Sequence, residues 1–272
     1  MYLDGEYLPA AEARVGAGDA GLLYGRGLFE TFRARQGEVY RLEGHFERLR
    51  TGAQLLGIAL PLALAELRTA VRETADRCRL EDARVRLTLT AGPENGQASL
   101  LIQARPATDY PEALYQRGMT AIVSPVRRNE TSPLSRVKSL NCLDNVLARE
   151  EAGRSGADTA LLLNTRGALA EACTSNLFLV RDGGLLTPPV EDGALPGVTR
   201  HSILALARGE GITAHEVSLS LNELSAADEA FLTGAVMGVM PLVTVDGAKA
   251  GGGRPGPLTG RLRTLYETAA RG

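Results

Sequence analysis

Residues 135–151, which read SRVKSLNCLDNVLAREE, constrain this chain more than any other stretch because they set a lysine at the start of a helical pattern. Downstream of Lys138, the apolar residues Leu143, Val146 and Leu147 fall at helical spacings, which predicts a helix beginning just after the lysine. Lys138 is then either a surface residue whose stem lies on apolar neighbours, or a desolvated amine that can form a Schiff base with a carbonyl. This segment alone leaves both interpretations open.

The composition predicts a globular protein of two unequal domains, because 272 residues exceed the usual size of one domain. Hydrophobic residues make up 44% and charged residues 23%, which is ordinary for a protein with a sizeable core. A net charge of -2 and an aromatic content of 4% give no reason to expect nucleic acid or an anionic membrane as partner. No apolar run approaches a membrane span and no signal peptide is recognised, so we expect a soluble cytoplasmic protein.

The cysteine and histidine residues exclude several kinds of site. Cys78, Cys142 and Cys173 are far apart, and no pair has the C-x-x-C spacing of a zinc ribbon. With only three histidines in the chain, a multi-histidine metal site is not expected. The sequence therefore predicts reduced thiols, no disulfide framework and no metal site.

The first part of the chain alternates between predicted strands and amphipathic helices. Residues 28–34 and 83–90 have strand patterns, and residues 43–56 form a predicted helix with one apolar stripe. Pro61 is expected at the first position of a second helix that reaches about Arg79. Residues 22–27 are interpreted as a glycine-punctuated loop. This order predicts an α+β small domain over residues 1–110.

The second part of the chain is predicted to be a larger domain over residues 119–272, joined to the first by a linker at residues 111–118. Strands are expected on both sides of a helix at residues 199–209, and a helix at residues 258–270 closes the chain. The glycine- and proline-rich residues 250–260 are predicted to be a mobile loop.

Three segments beside Lys138 share one chemical logic, although each has an ordinary alternative. Glu171 can keep a pyridine nitrogen protonated, or it is a solvated acid at a strand edge. The P-G-V-T run that ends at Thr199 can bind a phosphate at a helix N-terminus, or Thr199 is simply an N-cap. Arg48 can give phosphate a forked contact, or it is a solvated arginine beside Glu47.

Six motifs, in order and over nearly the whole chain, resemble those of the class-IV aminotransferase family, the pyridoxal-phosphate enzymes of fold type IV. They are Y-G-R-G-L-F-E-T-F-R at 24–33, H-F-E-R-L at 45–49, K-S-L-N at 138–141, E-A-C-T-S-N-L-F at 171–178, P-G-V-T-R at 196–200 and T-G-A-V-M-G-V-M-P at 233–241. The resemblance implies an α+β two-domain fold, with a small α/β N-terminal domain and a larger mixed α/β barrel-like C-terminal domain. It places the site between the two domains.

The resemblance also implies the role of each site residue. Lys138 attaches the cofactor pyridoxal 5'-phosphate and moves protons at the reacting carbon of the substrate, and Glu171 pairs with the pyridine nitrogen. Further cofactor contacts come from Arg48, Asn176, Leu195, Val198, Thr199, Gly234 and Ala235. Tyr24 and Phe29 become candidate walls of a pocket for a small amino-acid-like substrate, and the resemblance implies a homodimer.

Positions at which this sequence departs from the motifs of each branch of the family distinguish between the branches. Branched-chain aminotransferases carry a tyrosine where this chain has Cys142, and no counterpart of their arginine-rich strand for the substrate carboxylate is recognised. D-amino-acid aminotransferases carry an arginine and a histidine in the loop at residues 90–97, and both are missing here. The run G-A-V-M-G-V-M-P at residues 234–241 is similar to that of 4-amino-4-deoxychorismate lyases.

The first prediction is therefore 4-amino-4-deoxychorismate lyase, which releases pyruvate and leaves 4-aminobenzoate for folate biosynthesis. The alternative is a D-amino-acid or branched-chain aminotransferase. A remote alternative is a cofactor-free binding protein of the same fold, but retention of Lys138, Glu171, Arg48 and Thr199 together argues against it.

Overall fold

The computed structural model describes residues 1–108 and 110–271, which form two compact units. Unit 1 comprises Met1–Thr108 and Val137–Cys142, and unit 2 comprises Asp109–Arg136 and Leu143–Gly272. Asp109 and Gly272, which the predicted domain ranges include, lie outside the described residues.

Unit 1 contains an antiparallel sheet of six strands in the order β2-β1-β6-β5-β3-β4. Its elements in chain order are β1 (Tyr2–Leu3), β2 (Glu6–Tyr7), α1 (Ala20–Tyr24), β3 (Gly27–Arg35), β4 (Glu38–Val39), α2 (Leu42–Leu56), α3 (Leu64–Arg77), β5 (Asp82–Thr90) and β6 (Ser99–Pro106).

The two faces of the unit 1 sheet differ because its strands alternate in polarity. On β5, Val85, Leu87 and Leu89 are buried, and α2 and α3 pack against the sheet with their own buried apolar residues. The intervening β5 residues Arg84 and Arg86 are only partly buried, since side chains alternate between the faces of a strand. The opposite face of this sheet is therefore the one that carries polar groups.

Unit 2 contains a nine-stranded mixed sheet in the order β12-β11-β10-β13-β14-β7-β8-β9, with β15 paired to β14. Its elements in chain order are α4 (Glu112–Arg117), β7 (Met119–Arg128), a 3-10 turn (Pro133–Arg136), α5 (Leu143–Arg154), β8 (Thr159–Asn164), β9 (Leu169–Ala172), β10 (Asn176–Arg181), β11 (Gly184–Thr187), a 3-10 turn (Val190–Asp192), α6 (Val198–Gly209), β12 (Ala214–Glu216), α7 (Leu221–Ser225), β13 (Glu229–Gly234), β14 (Gly238–Val245), β15 (Ala248–Lys249) and α8 (Pro257–Ala269).

The central strands of unit 2 are covered on both faces. Every residue of β8 is buried, and α5 packs against β7 and β8 while α6 and α8 pack against β13. A strand buried on both faces loses the polar alternation of an exposed sheet. This explains the continuous apolar runs of the second half of the chain.

The predicted fold class is confirmed, whereas several boundaries differ for local reasons. Helix α3 begins at Leu64 rather than at Pro61, because the Glu66 carboxylate accepts a hydrogen bond from the N–H of Ala63 at 2.8 Å. Residues 22–27 are not all loop, since α1 is capped by the Asp19 side chain and ended by Gly25 at φ 64°. The segment predicted as a linker contains α4.

By its contacts, the lysine segment Val137–Cys142 belongs to unit 1. The N–H of Phe29 on β3 donates to the carbonyl of Lys138 at 2.9 Å, and the N–H of Leu140 donates to the carbonyl of Gly27 at 2.9 Å. The Asn141 side chain donates to the carbonyl of Gly25 at 2.9 Å. These bonds link residues more than 100 positions apart, which local sequence patterns do not reveal.

A buried carboxylate holds the N-terminus of α8. The Oε2 atom of Glu229 accepts from the N–H and the hydroxyl of Thr259, at 2.8 and 2.6 Å, and its Oε1 atom accepts from the N–H of Leu258 at 2.9 Å. The first N–H groups of a helix have no partner within the helix. Glu229 therefore satisfies them from the neighbouring strand β13.

We expect Glu229→Ala to lower the free energy of unfolding by about 2–4 kcal/mol, because it leaves buried N–H groups of α8 unpaired. Urea denaturation followed by circular dichroism measures the difference. The control is Glu210→Ala, which removes a surface ion pair with Arg261 and should cost less than about 1 kcal/mol. Equal losses in the two variants would contradict this account of the helix terminus.

Candidate active site

Three of the predicted cofactor residues form one hydrogen-bonded group in unit 2. Glu171 lies on β9, Asn176 opens β10, and Leu195 precedes α6. The Glu171 carboxylate accepts from the N–H of Leu195 at 2.9 Å and from the Asn176 amide at 3.4 Å, and the same amide donates to the carbonyl of Leu195 at 2.8 Å. Glu171 is 5% exposed, so its position and its orientation are both fixed.

Arg128 is a member of this group that the sequence analysis missed. Its Nη2 lies 3.5 Å from the Oε1 of Glu171, and its guanidinium also donates to the carbonyls of Ser135 and Gly193, at 3.0 and 3.1 Å. An arginine at this distance favours the negative charge on the carboxylate. The only sequence signal was a pair of arginines at the end of a strand, which by itself does not mark a site.

The N-terminus of α6 has the open backbone geometry of an anion site. Gly197 is its N-cap, and among the described residues no side chain caps the helix. The alternative in which Thr199 is the N-cap is therefore wrong, and the Thr199 hydroxyl lies 3.4 Å from that of Tyr266. A Cβ at Gly197 would lie 2.0 Å from the Asn176 side-chain oxygen, so this close approach requires glycine.

Thr233, which lies opposite Asn176 on the neighbouring strand β13, has a buried hydroxyl group. The two residues are paired in register across β10 and β13, and Thr233 is 1% exposed. Its hydroxyl is buried with no hydrogen-bond partner among the described residues, and Gly234 and Ala235 follow it at the strand end. A buried orphan hydroxyl in a native site calls for an explanation such as an absent ligand. Unit 2 thus fits an anionic, ring-bearing cofactor.

In unit 1, a lysine and an arginine lie on the same aromatic ring. The Nζ of Lys138 is 4.6 Å from the ring centroid of Phe29, and the guanidinium carbon of Arg86 is 4.1 Å from it. Burial lowers the pKa of Arg86 from its usual value. Cys142 partly opposes this shift, and the neighbouring Arg84 adds a smaller effect in the direction of burial. Phe29, predicted as a pocket wall, thus adjoins the predicted catalytic amine.

Arg86 lies on β5, a strand that the sequence analysis did not connect with the lysine. The signal was present, because Arg84 and Arg86 alternate with apolar residues in a stretch predicted to be a strand. What was missing was the pairing of β5 with β3, which sets Arg86 opposite Thr31, two residues along β3 from Phe29 and on the same face of the strand. Only this cross-strand register brings Arg86 to the lysine.

Arg48 is held by a buried acid that sequence reasoning also missed. Its Nε and Nη2 donate to the two carboxylate oxygens of Glu30 at 2.8 and 2.6 Å, and His45 Nδ1 lies 2.8 Å from Glu30. Burial by itself would raise the pKa of Glu30, but the Arg48 charge and the His45 contact outweigh it and lower that pKa to about 2. The sequence does contain a signal for this pair, because Glu30 occupies a position of β3 that the strand alternation predicts to be buried.

Tyr24, the other predicted pocket residue, stands at the end of α1 and is 75% exposed. Leu22 and Leu23 beside it are also exposed. The structure of the single chain therefore places Tyr24 in an apolar surface patch.

Comparison with known proteins decides the family. The family model described as Amino-transferase class IV matches residues 27–245. The chain belongs to this family. A putative branched-chain-amino-acid aminotransferase of Methanocaldococcus jannaschii is 37% identical over 276 residues, which cover 98% of this chain and 95% of that protein.

Solved structures agree with the family and with the fold. The branched-chain aminotransferase of the archaeon Thermoproteus uzoniensis, solved with norvaline, has a TM-score of 0.88 and 34% identity, over 98% of this chain and 92% of that one. A putative 4-amino-4-deoxychorismate lyase of Legionella pneumophila has a TM-score of 0.88 and 27% identity, over 96% and 97%. The resemblance, the fold type, the expectation of an enzyme and its cofactor, pyridoxal 5'-phosphate, are confirmed.

Two other features are absent from the described residues. Within residues 1–108 and 110–271, no helix combines the length and apolar composition that a membrane crossing requires. The same residues contain no group of three or more histidine, cysteine or acidic side chains arranged to hold a metal ion.

The Glu30 ion pair generates a pH-dependent prediction. Because the pKa of Glu30 is depressed from 4.5 to about 2, its stabilisation is present above about pH 5 and is lost as the pH falls towards 2. Glu30→Gln should lower the free energy of unfolding at pH 7 by about 3 kcal/mol, since it removes the buried charge that pairs with Arg48. Urea denaturation between pH 7 and pH 3 measures this.

The gap between wild type and Glu30→Gln should narrow as the pH falls below 5. Glu47→Gln is the matched control, because Glu47 lies on the same helix as Arg48 and pairs with the exposed Arg50. It should stay close to wild type at every pH. A gap for Glu30→Gln that is constant from pH 7 to pH 3 would rule out the charged pair as its cause.

Proposed function

We propose that this enzyme is a pyridoxal-phosphate-dependent aminotransferase that moves the amino group of an aliphatic amino acid to a 2-oxo acid. The observation that carries the proposal is the joint position of Lys138 and Arg86 on the Phe29 ring. The amine is the group that attaches the cofactor. The Phe29 ring can contact an aliphatic side chain of the amino acid, and the Arg86 guanidinium can bind a carboxylate of the 2-oxo acid. Such a pocket suits the two half-reactions of an aminotransferase.

The residues of unit 2 fit the pyridine ring of this cofactor. When bound, the cofactor supplies an electron sink for the carbanion at the substrate's reacting carbon. Glu171 would hold a proton on the pyridine nitrogen, and Arg128 would keep the Glu171 carboxylate charged. Asn176 and Leu195, which both bond to Glu171, would keep it in the orientation that this proton requires.

The phosphate would be held mainly by backbone groups. The uncapped amides of Val198 and Thr199 present two donors at a helix N-terminus, where the helix dipole favours an anion. The Thr199 hydroxyl and the backbone at Gly234 and Ala235 would supply the remaining polar contacts of unit 2. Arg48, whose orientation Glu30 fixes, would supply a positive charge.

The chemistry of proton transfer falls to Lys138. Its amine would be released when substrate takes its place on the cofactor, and it would then move a proton at the reacting carbon. The apolar ring of Phe29, 4.6 Å from the amine, would shield one side of it from water and so strengthen the electrostatic interactions around it. An aminotransferase needs this transfer in both directions.

The lyase remains a second candidate because two observations favour it. Residues 234–241 are similar to the corresponding run of 4-amino-4-deoxychorismate lyases, and the Legionella structure named above is a putative enzyme of that activity. Cys142 replaces the tyrosine of branched-chain aminotransferases, and this residue is compatible with both reactions. In the lyase, the same lysine would direct elimination of pyruvate.

Product identity separates the candidates. With L-leucine and 2-oxoglutarate we expect glutamate, and Lys138→Ala should lower its rate at least about a thousandfold, since anchor and base are lost together. Lys249→Ala, at an exposed position, is the matched control and should retain the rate. Coupled glutamate detection measures both variants.

Other products would assign a different activity or contradict the aminotransferase assignment. Glutamate from D-alanine but not from L-leucine would assign the D-amino-acid branch. Pyruvate from aminodeoxychorismate without an acceptor, and no glutamate from either amino acid, would assign the lyase. If no substrate reacts in the presence of pyridoxal phosphate, or if Lys138→Ala keeps the wild-type rate, the proposed mechanism is wrong.

We further propose that the enzyme is a homodimer, as the family resemblance implies. Exposed apolar residues are concentrated on two helices, and single-chain exposure of that kind marks an interaction surface. On α1 these are Leu22, Leu23 and Tyr24, and on α5 they are Leu143, Val146 and Leu147. A second copy of the chain is the occupant that this proposal assigns to both helices.

The double variant Leu22→Asp/Leu23→Asp should convert the dimer into a monomer, because it buries two charges in an apolar interface. Light scattering after gel filtration should change from twice the chain mass to 28.8 kDa. Leu55→Asp is the control, since Leu55 is an exposed leucine on α2 outside the two helices. A monomeric wild type, or a dimeric double variant, contradicts the assignment.

A further inference from the structure

Tyr266, a buried residue of α8, contacts two segments of unit 2 that carry proposed phosphate contacts. Its hydroxyl is 3.4 Å from the hydroxyl of Thr199, which lies in the first turn of α6. A Cβ built at Gly238 would lie 3.4 Å from two carbons of the Tyr266 ring, so the ring packs against the backbone at the start of β14. The roles assigned above to the cofactor residues do not include Tyr266.

A second buried tyrosine adjoins the same turn between β13 and β14 but makes a different kind of bond. Tyr115 of α4 is 8% exposed, as is Tyr266, and its hydroxyl donates to the carbonyl of Met237 at 2.7 Å. A backbone carbonyl can only accept, so this bond has one possible direction. The contact of Tyr266 is with a hydroxyl, which can either donate or accept. Its direction therefore affects what Thr199 can offer to a ligand.

Helix α8 holds Tyr266 in a fixed place. The Glu229 carboxylate satisfies the N-terminus of α8 at Leu258 and Thr259, and Tyr266 lies about two helical turns beyond Thr259. The helix also packs against α6, β13 and β14. The Tyr266 hydroxyl is thus presented to Thr199 by a rigid element, which is the condition for a polar group to position another one.

The hydrogen-bonding capacity of the Thr199 hydroxyl sets the direction of the bond when an anion is present. A threonine hydroxyl has one hydrogen and two lone pairs. A phosphate group with about two negative charges accepts hydrogen bonds, so Thr199 has to direct its hydrogen at the phosphate. Its oxygen is then available to accept from Tyr266. The 3.4 Å separation exceeds the usual hydroxyl bond of about 2.7–2.8 Å, and it should shorten in the complex because hydrogen bonds in a chain strengthen one another.

We propose that Tyr266 is a positioning residue for the cofactor phosphate: its hydroxyl donates to the Thr199 oxygen and so directs the Thr199 hydrogen towards the phosphate. The inference rests on the proposed function, because it takes the Thr199 hydroxyl as a phosphate contact. This role concerns the phosphate alone. Loss of the Tyr266 hydroxyl should therefore weaken binding of the phosphate without a matching effect on the pyridine ring.

A comparison of pyridoxal 5'-phosphate with pyridoxal, which lacks the phosphate, tests this role. The whole chain, freed of cofactor, is titrated with each compound and followed by the absorbance of the bound form. Tyr266→Phe should weaken pyridoxal 5'-phosphate about fivefold and leave the affinity for pyridoxal unchanged, because it removes one hydrogen bond of the phosphate site. A tyrosine that only supports the fold would lower both affinities together. Equal losses for the two compounds, or no loss for either, overturn the proposal.

A double-mutant cycle with Thr199→Val shows whether the effect passes through Thr199. Thr199→Val should weaken pyridoxal 5'-phosphate about tenfold, since it removes a hydrogen bond to a charged group. In that background Tyr266→Phe should have no further effect, because the hydroxyl that it directs is gone. Thr199→Ser keeps the hydroxyl and should keep the fivefold effect of Tyr266→Phe. Losses that multiply in the double variant overturn the positioning role.

Tyr115→Phe is the matched control, because it removes the hydroxyl of an equally buried tyrosine beside the same turn. The factor by which it changes the affinity for pyridoxal 5'-phosphate should be the same with and without Thr199→Val. If Tyr115→Phe loses its effect in the Thr199→Val background as Tyr266→Phe does, the coupling is not specific to the contact between Tyr266 and Thr199, and the proposal is wrong.

The titrations separate a failure of this inference from a failure of the proposed function. If Thr199→Val leaves the affinity for pyridoxal 5'-phosphate unchanged, the phosphate contact assigned to Thr199 is wrong, and the role of Tyr266 falls with it. If Thr199→Val weakens the cofactor and Tyr266→Phe does not, only the role of Tyr266 is overturned. The titrations contain no amino acid, so their outcome does not depend on whether L-leucine gives glutamate.

Discussion

The backbone pairing of the lysine segment with β3 is the interaction on which the chemistry of unit 1 depends. Hydrogen bonds from Phe29 to Lys138 and from Leu140 to Gly27 make a short, isolated bridge beside an otherwise regular strand. Because side chains alternate along β3, the same bridge that fixes the lysine backbone also places the Phe29 ring beneath its amine. The strand register therefore determines the position of the Lys138 amine.

Buried carboxylates organise the functional parts of both units. Glu30 orients Arg48, and Glu171 gathers Leu195, Asn176 and Arg128. Each acid is enclosed with donors or cations that stabilise its charge, which is the condition under which a carboxylate tolerates burial. Such groups are rigid. Under the proposed function, Glu30 would hold a cofactor-binding arginine in one orientation, and Glu171 would hold a pyridine nitrogen in one orientation.

Much of the fold followed from the sequence, because its strands and helices have clear periodicities. Residues 83–90 and 43–56 were assigned correctly for that reason, and the family was recognised from the order of its motifs. Arg86 and Arg128 were missed, because each contacts a residue that is distant in the sequence. Arg86 contacts Phe29, and Arg128 contacts Glu171. The domain boundaries, the cytoplasmic location and the lyase activity stay predictions, since no observation of the chain tests them.

The sequence by itself determined the family, the fold class and the identity of Lys138 and Glu171 as candidates, because these follow from local patterns and motif order. The tertiary structure alone decided which residues surround them. It brought Arg86 to Phe29 through strand register, paired Arg48 with Glu30 through helix packing, and set Arg84 opposite Arg105. Electrostatic interactions depend on distance in space, and strand pairing and helix packing set that distance.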